Sequence, residues 1–89
     1  MMKIKEEFWK AQENESIEGI VVEINDNVGK YDNTIYKIKV KDKIYCIWAS
    51  VELKELFKNV QILDRVYLKY LGKTKTGDYY KKKYELKVL

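Results

Sequence analysis

The sequence contains no histidine and a single cysteine, Cys46, in 89 residues. Without histidine the chain lacks the side chain that most often ligates a metal or acts as a base near neutral pH. One thiol cannot close an intramolecular disulfide. No apolar run approaches the ~18 residues that a membrane-spanning helix needs. The opening residues also lack the basic start, apolar stretch and small-residue cleavage site of a signal peptide. These absences predict a cytoplasmic domain with no metal, no cofactor and no membrane partner.

With 46% hydrophobic residues, the chain is too apolar to remain disordered. Its length lies below the usual ~100–150 residues of a domain, so residues 1–89 are expected to form one. A chain this short buries little more than ~60% of its unfolded surface, enough for one core. The net charge of +4 is unevenly spread. Residues 1–28 carry three lysines against seven acids, and residues 29–89 carry fifteen bases against seven acids. A basic body of this kind suits a polyanion, although lysine-rich surfaces also serve solubility.

Periodicity predicts five strands and one helix. Residues 1–16 form either a short helix, with Ile4, Phe8 and Trp9 on one side, or an extended arm laying Phe8 and Trp9 on the domain. Ile17–Ile24 is β-branched and partly alternating, the first strand, and Asn25–Asn33 reads as a loop. Thr34–Lys41 alternates Tyr36, Ile38 and Val40 with Lys37, Lys39 and Lys41, the second strand. Asp42-Lys43 is a tight turn, and Ile44–Ala49 the third strand. Ser50 supplies an N-cap for a helix of about three turns with a Leu53, Leu56, Phe57, Val60 stripe. Val66–Leu71 is the fourth strand, Gly72–Asp78 a loop and Tyr79–Leu89 the fifth strand. The order β-β-β-α-β-β predicts a mainly β protein, a five-stranded oligonucleotide/oligosaccharide-binding (OB) barrel, with an SH3-like barrel as the competitor.

The hairpin between the second and third strands decides what the ligand face presents. With Asp42-Lys43 as the turn, Tyr36, Ile38, Val40, Tyr45, Ile47 and Ala49 point inward. Lys37, Lys39, Lys41, Ile44, Cys46 and Trp48 then point outward, with Trp48 opposite Lys37. A three-residue turn would move every side chain to the other face and bury Trp48. Packing of Trp48 against the N-terminal segment is a third arrangement. Cys46 reads as a small apolar filler.

An exposed Trp48 between Lys37 and Lys39 suits single-stranded nucleic acid, because unpaired bases offer a ring face to stack while ammonium groups follow the phosphates. Lys30 and Tyr31 in the first loop extend the pattern. So do Lys73, Lys75, Tyr79, Tyr80, Lys81 and Lys82, with Lys83, around the last loop. Each of these residues singly is equally well read as a strand former or a solvated charge; their convergence on one face favours binding. Gly72-Lys73-Thr74 mimics the end of a phosphate-binding P-loop, but position 67 is Tyr where that motif needs Gly, and a strand follows rather than a helix. Glu52 and Glu55 read as solvated acids in the first helical turn. The sequence therefore predicts a binding module rather than an enzyme.

Phe8-Trp9-Lys10, Ile17-Glu18-Gly19, Gly29-Lys30-Tyr31, Tyr36, Ile47-Trp48-Ala49-Ser50 with Leu53, Asp64-Arg65-Val66, Tyr70-Leu71-Gly72-Lys73, Gly77 and Tyr80-Lys81 follow one another in an order that resembles small OB-fold proteins of bacteriophages and mobile elements. Those proteins are of the single-stranded-DNA-binding type. The chain departs from their pattern at Ala11-Gln12-Glu13-Asn14, where a Pro and Gly are expected. The resemblance implies single-stranded DNA binding in replication or recombination. A protein-interaction module that binds a host protein, or single-stranded RNA binding, are the alternatives, and no 2′-hydroxyl contact separates RNA from DNA.

Overall fold

The computed structural model describes residues 4–30 and 33–89. It is mainly β: β1 (Lys5–Phe8), β2 (Ser16–Val28), β3 (Asn33–Val40), β4 (Lys43–Trp48), helix α1 (Val51–Leu56), β5 (Arg65–Thr76) and β6 (Tyr79–Val88). The strands form one six-stranded sheet in the order β1-β4-β3-β2-β5-β6. The five strands expected from periodicity are β2 to β6, with the helix between β4 and β5.

The sheet is not closed into a barrel. Closure of the run β4-β3-β2-β5-β6 would require its end strands to pair, and the outer edge of β4 is taken by β1, which runs parallel to it. The N-terminal segment is thus extended rather than helical over residues 5–8. Trp9 continues the attachment by donating its N–H to the Cys46 carbonyl, 3.0 Å away. The following residues cross to β5, where Asn14 N donates to Tyr70 O (2.7 Å) and Tyr70 N to Glu15 O (2.9 Å). Trp9 itself packs on the core.

That core holds Val21, Tyr36, Ile38, Ile47, Leu53, Phe57, Val60, Val66 and Leu68. The Tyr36 and Phe57 rings stack with centroids 4.0 Å apart, fastening the helix end to β3. Ser50 caps α1, its Oγ accepting from Leu53 N at 3.1 Å. The helix is shorter than the apolar stripe predicts. It ends at Leu56, and Val60 reaches the core through a tighter turn in which its N–H donates to the Phe57 carbonyl.

Residues 25–28, read as the start of a loop, continue β2 and pair with β3. Two turns also differ from expectation. Val40 pairs with Lys43, so the β3–β4 hairpin turns on Lys41-Asp42, with Lys41 at φ +58°. The register therefore moves by two residues, which preserves alternation: Tyr36, Ile38 and Ile47 are buried as expected, and Trp48 stays on the outer face. Trp48 now lies opposite Ile35, and Lys37 opposite Cys46. The second difference is larger. Residues 72–76, read as loop, continue β5, and the two-residue turn is Gly77-Asp78. Gly72, taken as a loop opener, sits at a β-bulge with φ +104°, a conformation that side chains disfavour. Thr74 is β-branched, which favours the extended backbone leading to Lys75.

Candidate nucleic-acid interface

Beyond the bulge, β5 and β6 run on as a two-stranded prong. Lys73 pairs with Lys82, Thr74 with Lys81, Lys75 with Tyr80 and Thr76 with Tyr79. Directly opposed residues share a face, so Lys73, Lys75, Tyr80 and Lys82 form one face and Thr74, Tyr79 and Lys81 belong to the other. Along β6 the first face continues inward to Tyr84, whose ring meets Tyr70 at 5.4 Å. Burial, then the neighbouring Tyr70 and Glu52, push the Tyr84 phenol upward. At the tip Tyr79 and Tyr80 are 68% and 67% exposed.

The lysines of the prong are not held in ion pairs. Among the described residues, none of Lys73, Lys75, Lys81, Lys82 and Lys83 forms an ion pair, whereas Lys37, Lys43, Arg65 and Lys87 each do. Lysines placed directly across from each other, as Lys73 and Lys82 are, destabilise a sheet. A ladder carrying such a pair is suited to an anion that supplies the missing countercharge.

Between the prong and α1 lies a groove of about 650 Å³, lined among others by Val51, Glu52, Thr74, Tyr79, Tyr80 and Lys82. Val51 is exposed there. Glu52 is not solvated as the sequence suggests: its Oε2 is buried and meets no hydrogen-bond partner among the described residues. Periodicity could not have found this, because Glu52 looks like any first-turn acid until the prong folds beside it.

The outer face of β3 and β4 is different. Lys37 Nζ sits between Glu6 Oε1 (3.1 Å) and Glu23 Oε2 (3.2 Å), and these carboxylates raise its pKa above the ordinary lysine value. Its charge is thus already matched. Trp48 is 48% exposed, but one side of its ring is covered by Phe8, stacked at 5.7 Å and 7°. Exposure and packing on the N-terminal segment, read as alternatives from the sequence, both hold. Glu7 completes the attachment of β1 through Lys43 at 3.0 Å. The ion pair and hydrogen bond with Lys43 hold the Glu7 carboxyl below its ordinary value. Cys46 is buried, and that burial pushes its thiol upward.

Of the candidate residues, Lys73, Lys75, Tyr79, Tyr80, Lys81 and Lys82 all lie on the prong, but not on the one face expected of them: alternation along the ladder puts Lys73, Lys75, Tyr80 and Lys82 on one side and Tyr79 and Lys81 on the other. Trp48 precedes by two residues Ser50, which lies on the groove rim. Lys39 belongs to a separate hollow of about 310 Å³ with Glu18, Lys41 and Arg65. Lys30 is exposed after the turn at Gly29, and Tyr31 lies outside the described residues. Among the described residues no helix is long and apolar enough to cross a membrane. No protein-family model matches the chain, and neither a curated protein nor a solved structure is found to be similar to it.

Proposed function

We propose that this chain is an OB-type module that binds single-stranded DNA without strict sequence requirement, holding the strand along the β5–β6 prong. The observation that carries the reading is the pairing of Lys73 with Lys82 on the same face as the exposed Tyr80, with the exposed Tyr79 on the other side of the tip. Lysines contact phosphates, while each base stacked on an aromatic ring contributes about 1–3 kcal/mol. In duplex DNA those ring faces are already stacked on one another, so the same surface favours a single strand.

The OB assignment is supported by the strand order β4-β3-β2-β5-β6 with the helix between β4 and β5. In that fold the loop joining the last two strands borders the ligand face, and here it is replaced by the prong. Lys37 contributes least, since Glu6 and Glu23 already neutralise it. Trp48 joins the interface through its uncovered ring face.

The test is fluorescence anisotropy of a labelled oligo-dT, a matched duplex and an oligo-U, each at low and moderate salt. Three to five phosphate contacts on a single strand give a log–log salt slope of roughly −2 to −3.5. Tight dT binding with a much weaker duplex supports the proposal, and equal dT and U binding widens it to RNA. Absence of binding to every strand at low salt overturns it and leaves a protein partner as the occupant of this face.

A further inference from the structure

The groove between α1 and the prong combines three features that phosphate binding alone does not need. Its walls are largely apolar and aromatic, with Val51 on one side and Tyr79 and Tyr80 on the other. Its volume of about 650 Å³ is ample for a flat ring system. It also contains Glu52, whose Oε2 is buried without a hydrogen-bond partner among the described residues. An ionised carboxylate accepts hydrogen bonds and donates none. Leaving such an atom buried and unpaired is costly, and the cost is removed by a ligand that brings a donor. A carboxylate in a lysine-rich groove also repels the backbone phosphate, so its partner must be another part of the nucleotide.

We infer that this groove is a base-reading subsite that prefers guanine, with the base lying against Tyr79 or Tyr80 and its Watson–Crick edge donating to Glu52. This rests on the single-strand reading above and gives it a base preference. Guanine presents two adjacent donors on that edge, N1–H and the N2 amino group, which match the two oxygens of one carboxylate once the Glu52 side chain turns its buried Oε2 into the groove. Cytosine and adenine each present one amino group beside a ring acceptor. Thymine and uracil present a single N3–H between two carbonyl oxygens, and those oxygens face the carboxylate with like partial charge. In a single strand the Watson–Crick edge is free to be read. The expected order is therefore dG tightest, dC and dA intermediate, and dT weakest.

The experiment measures anisotropy of labelled oligonucleotides of one length: all dT, or dT with isolated dG, dC, dA or deoxyinosine. Isolated purines avoid self-association of the probe. A guanine in the strand should tighten binding by about tenfold, the scale of one charge-assisted hydrogen bond. Deoxyinosine, which lacks the N2 amino group, should lose part of that gain, a comparison that requires only the wild-type chain. Glu52→Gln and Glu52→Ala should remove the guanine preference by weakening dG binding, while dT affinity holds or rises, because the charge that opposes thymine's carbonyl oxygens and the phosphates is gone. Equal affinity for the dT and dG probes, or a preference that survives Glu52→Ala, overturns the subsite and leaves single-strand binding standing. Failure of every strand to bind overturns both.

Discussion

The rings of Phe8 and Trp48 lie nearly parallel, 7° apart in plane and 5.7 Å between centroids, and join β1 to the edge of β4. Nothing in the local periodicity of either segment places them together. The stack occupies one face of the tryptophan that the proposed interface would use for a base.

Replacing Phe8 by Ala therefore has two expected effects. Loss of the aromatic pair and its buried area costs about 1–2 kcal/mol, or several degrees in Tm for a domain of this size. The same change uncovers Trp48, so dT binding should tighten, whereas Trp48→Ala should weaken it with the fold retained. Thermal melts and anisotropy on both variants check this. Weaker dT binding in Phe8→Ala would mean that Phe8 is part of the stacking platform instead of its cover.

A third variant addresses the β3–β4 turn. Lys41 sits at φ +58° as the first residue of a two-residue turn, where a side chain is strained and glycine is not. Lys41→Gly should raise stability by about 0.5–1 kcal/mol after the extra entropy of an unfolded glycine is deducted. The midpoint of urea unfolding measures it. An unchanged or lower midpoint would show that Lys41 is held there without strain.

Stability should fall in alkali. Burial raises the pKa of Cys46, Tyr36 and Tyr84, and carboxylate partners raise those of Lys37 and Lys43. A group whose folded pKa lies above its unfolded value contributes fully below the unfolded value and loses that contribution as pH rises through the folded one. The window therefore opens near 9.0 for the thiol and near 10.0 to 10.5 for the phenols and lysines. Glu7 acts in the opposite sense: its pKa is lowered, so its contribution is present above 4.5 and is lost as pH falls through its folded value. Urea midpoints at pH 7, 9 and 10.5 should fall in that order, with Cys46→Val delaying the first step. A flat profile over this range would contradict the burial of these groups.

The alternation of Tyr36, Ile38 and Val40 with Lys37 and Lys39 was enough to assign faces, because a register error of two residues leaves every side chain on its side of the sheet. Ser50 and Leu53 likewise announced the helix start through local capping chemistry. The sequence left residues 1–16 open between a short helix and an extended arm and carried no sign of the pairing of β1 to β4, which links residues far apart and has four residues in which to leave a pattern. It misled at Gly72–Thr76, where glycine and lysine are usual loop residues, yet the backbone there is satisfied by pairing with β6. The groove beside Glu52 exists only once the prong has formed, so it had no linear signature.

The prong offers the sharpest separation of folding from binding. Lys73 and Lys82 face each other across the ladder with no acidic partner among the described residues. Lys73→Thr removes this repulsion and adds a β-branched side chain, so it should stabilise the domain by a few tenths to about 1 kcal/mol. If the lysine grips a phosphate, the same variant should bind dT more weakly, with a log–log salt slope shallower by about 0.7 for the lost contact. A residue kept for the fold would move stability and affinity together, since a weakened fold binds less well. Thermal melts and salt-dependent anisotropy on one variant thus read two opposed changes. A stabilised Lys73→Thr with unaltered affinity and slope would remove Lys73 from the interface, and a destabilised one would show that the lysine pair is not repulsive in this setting.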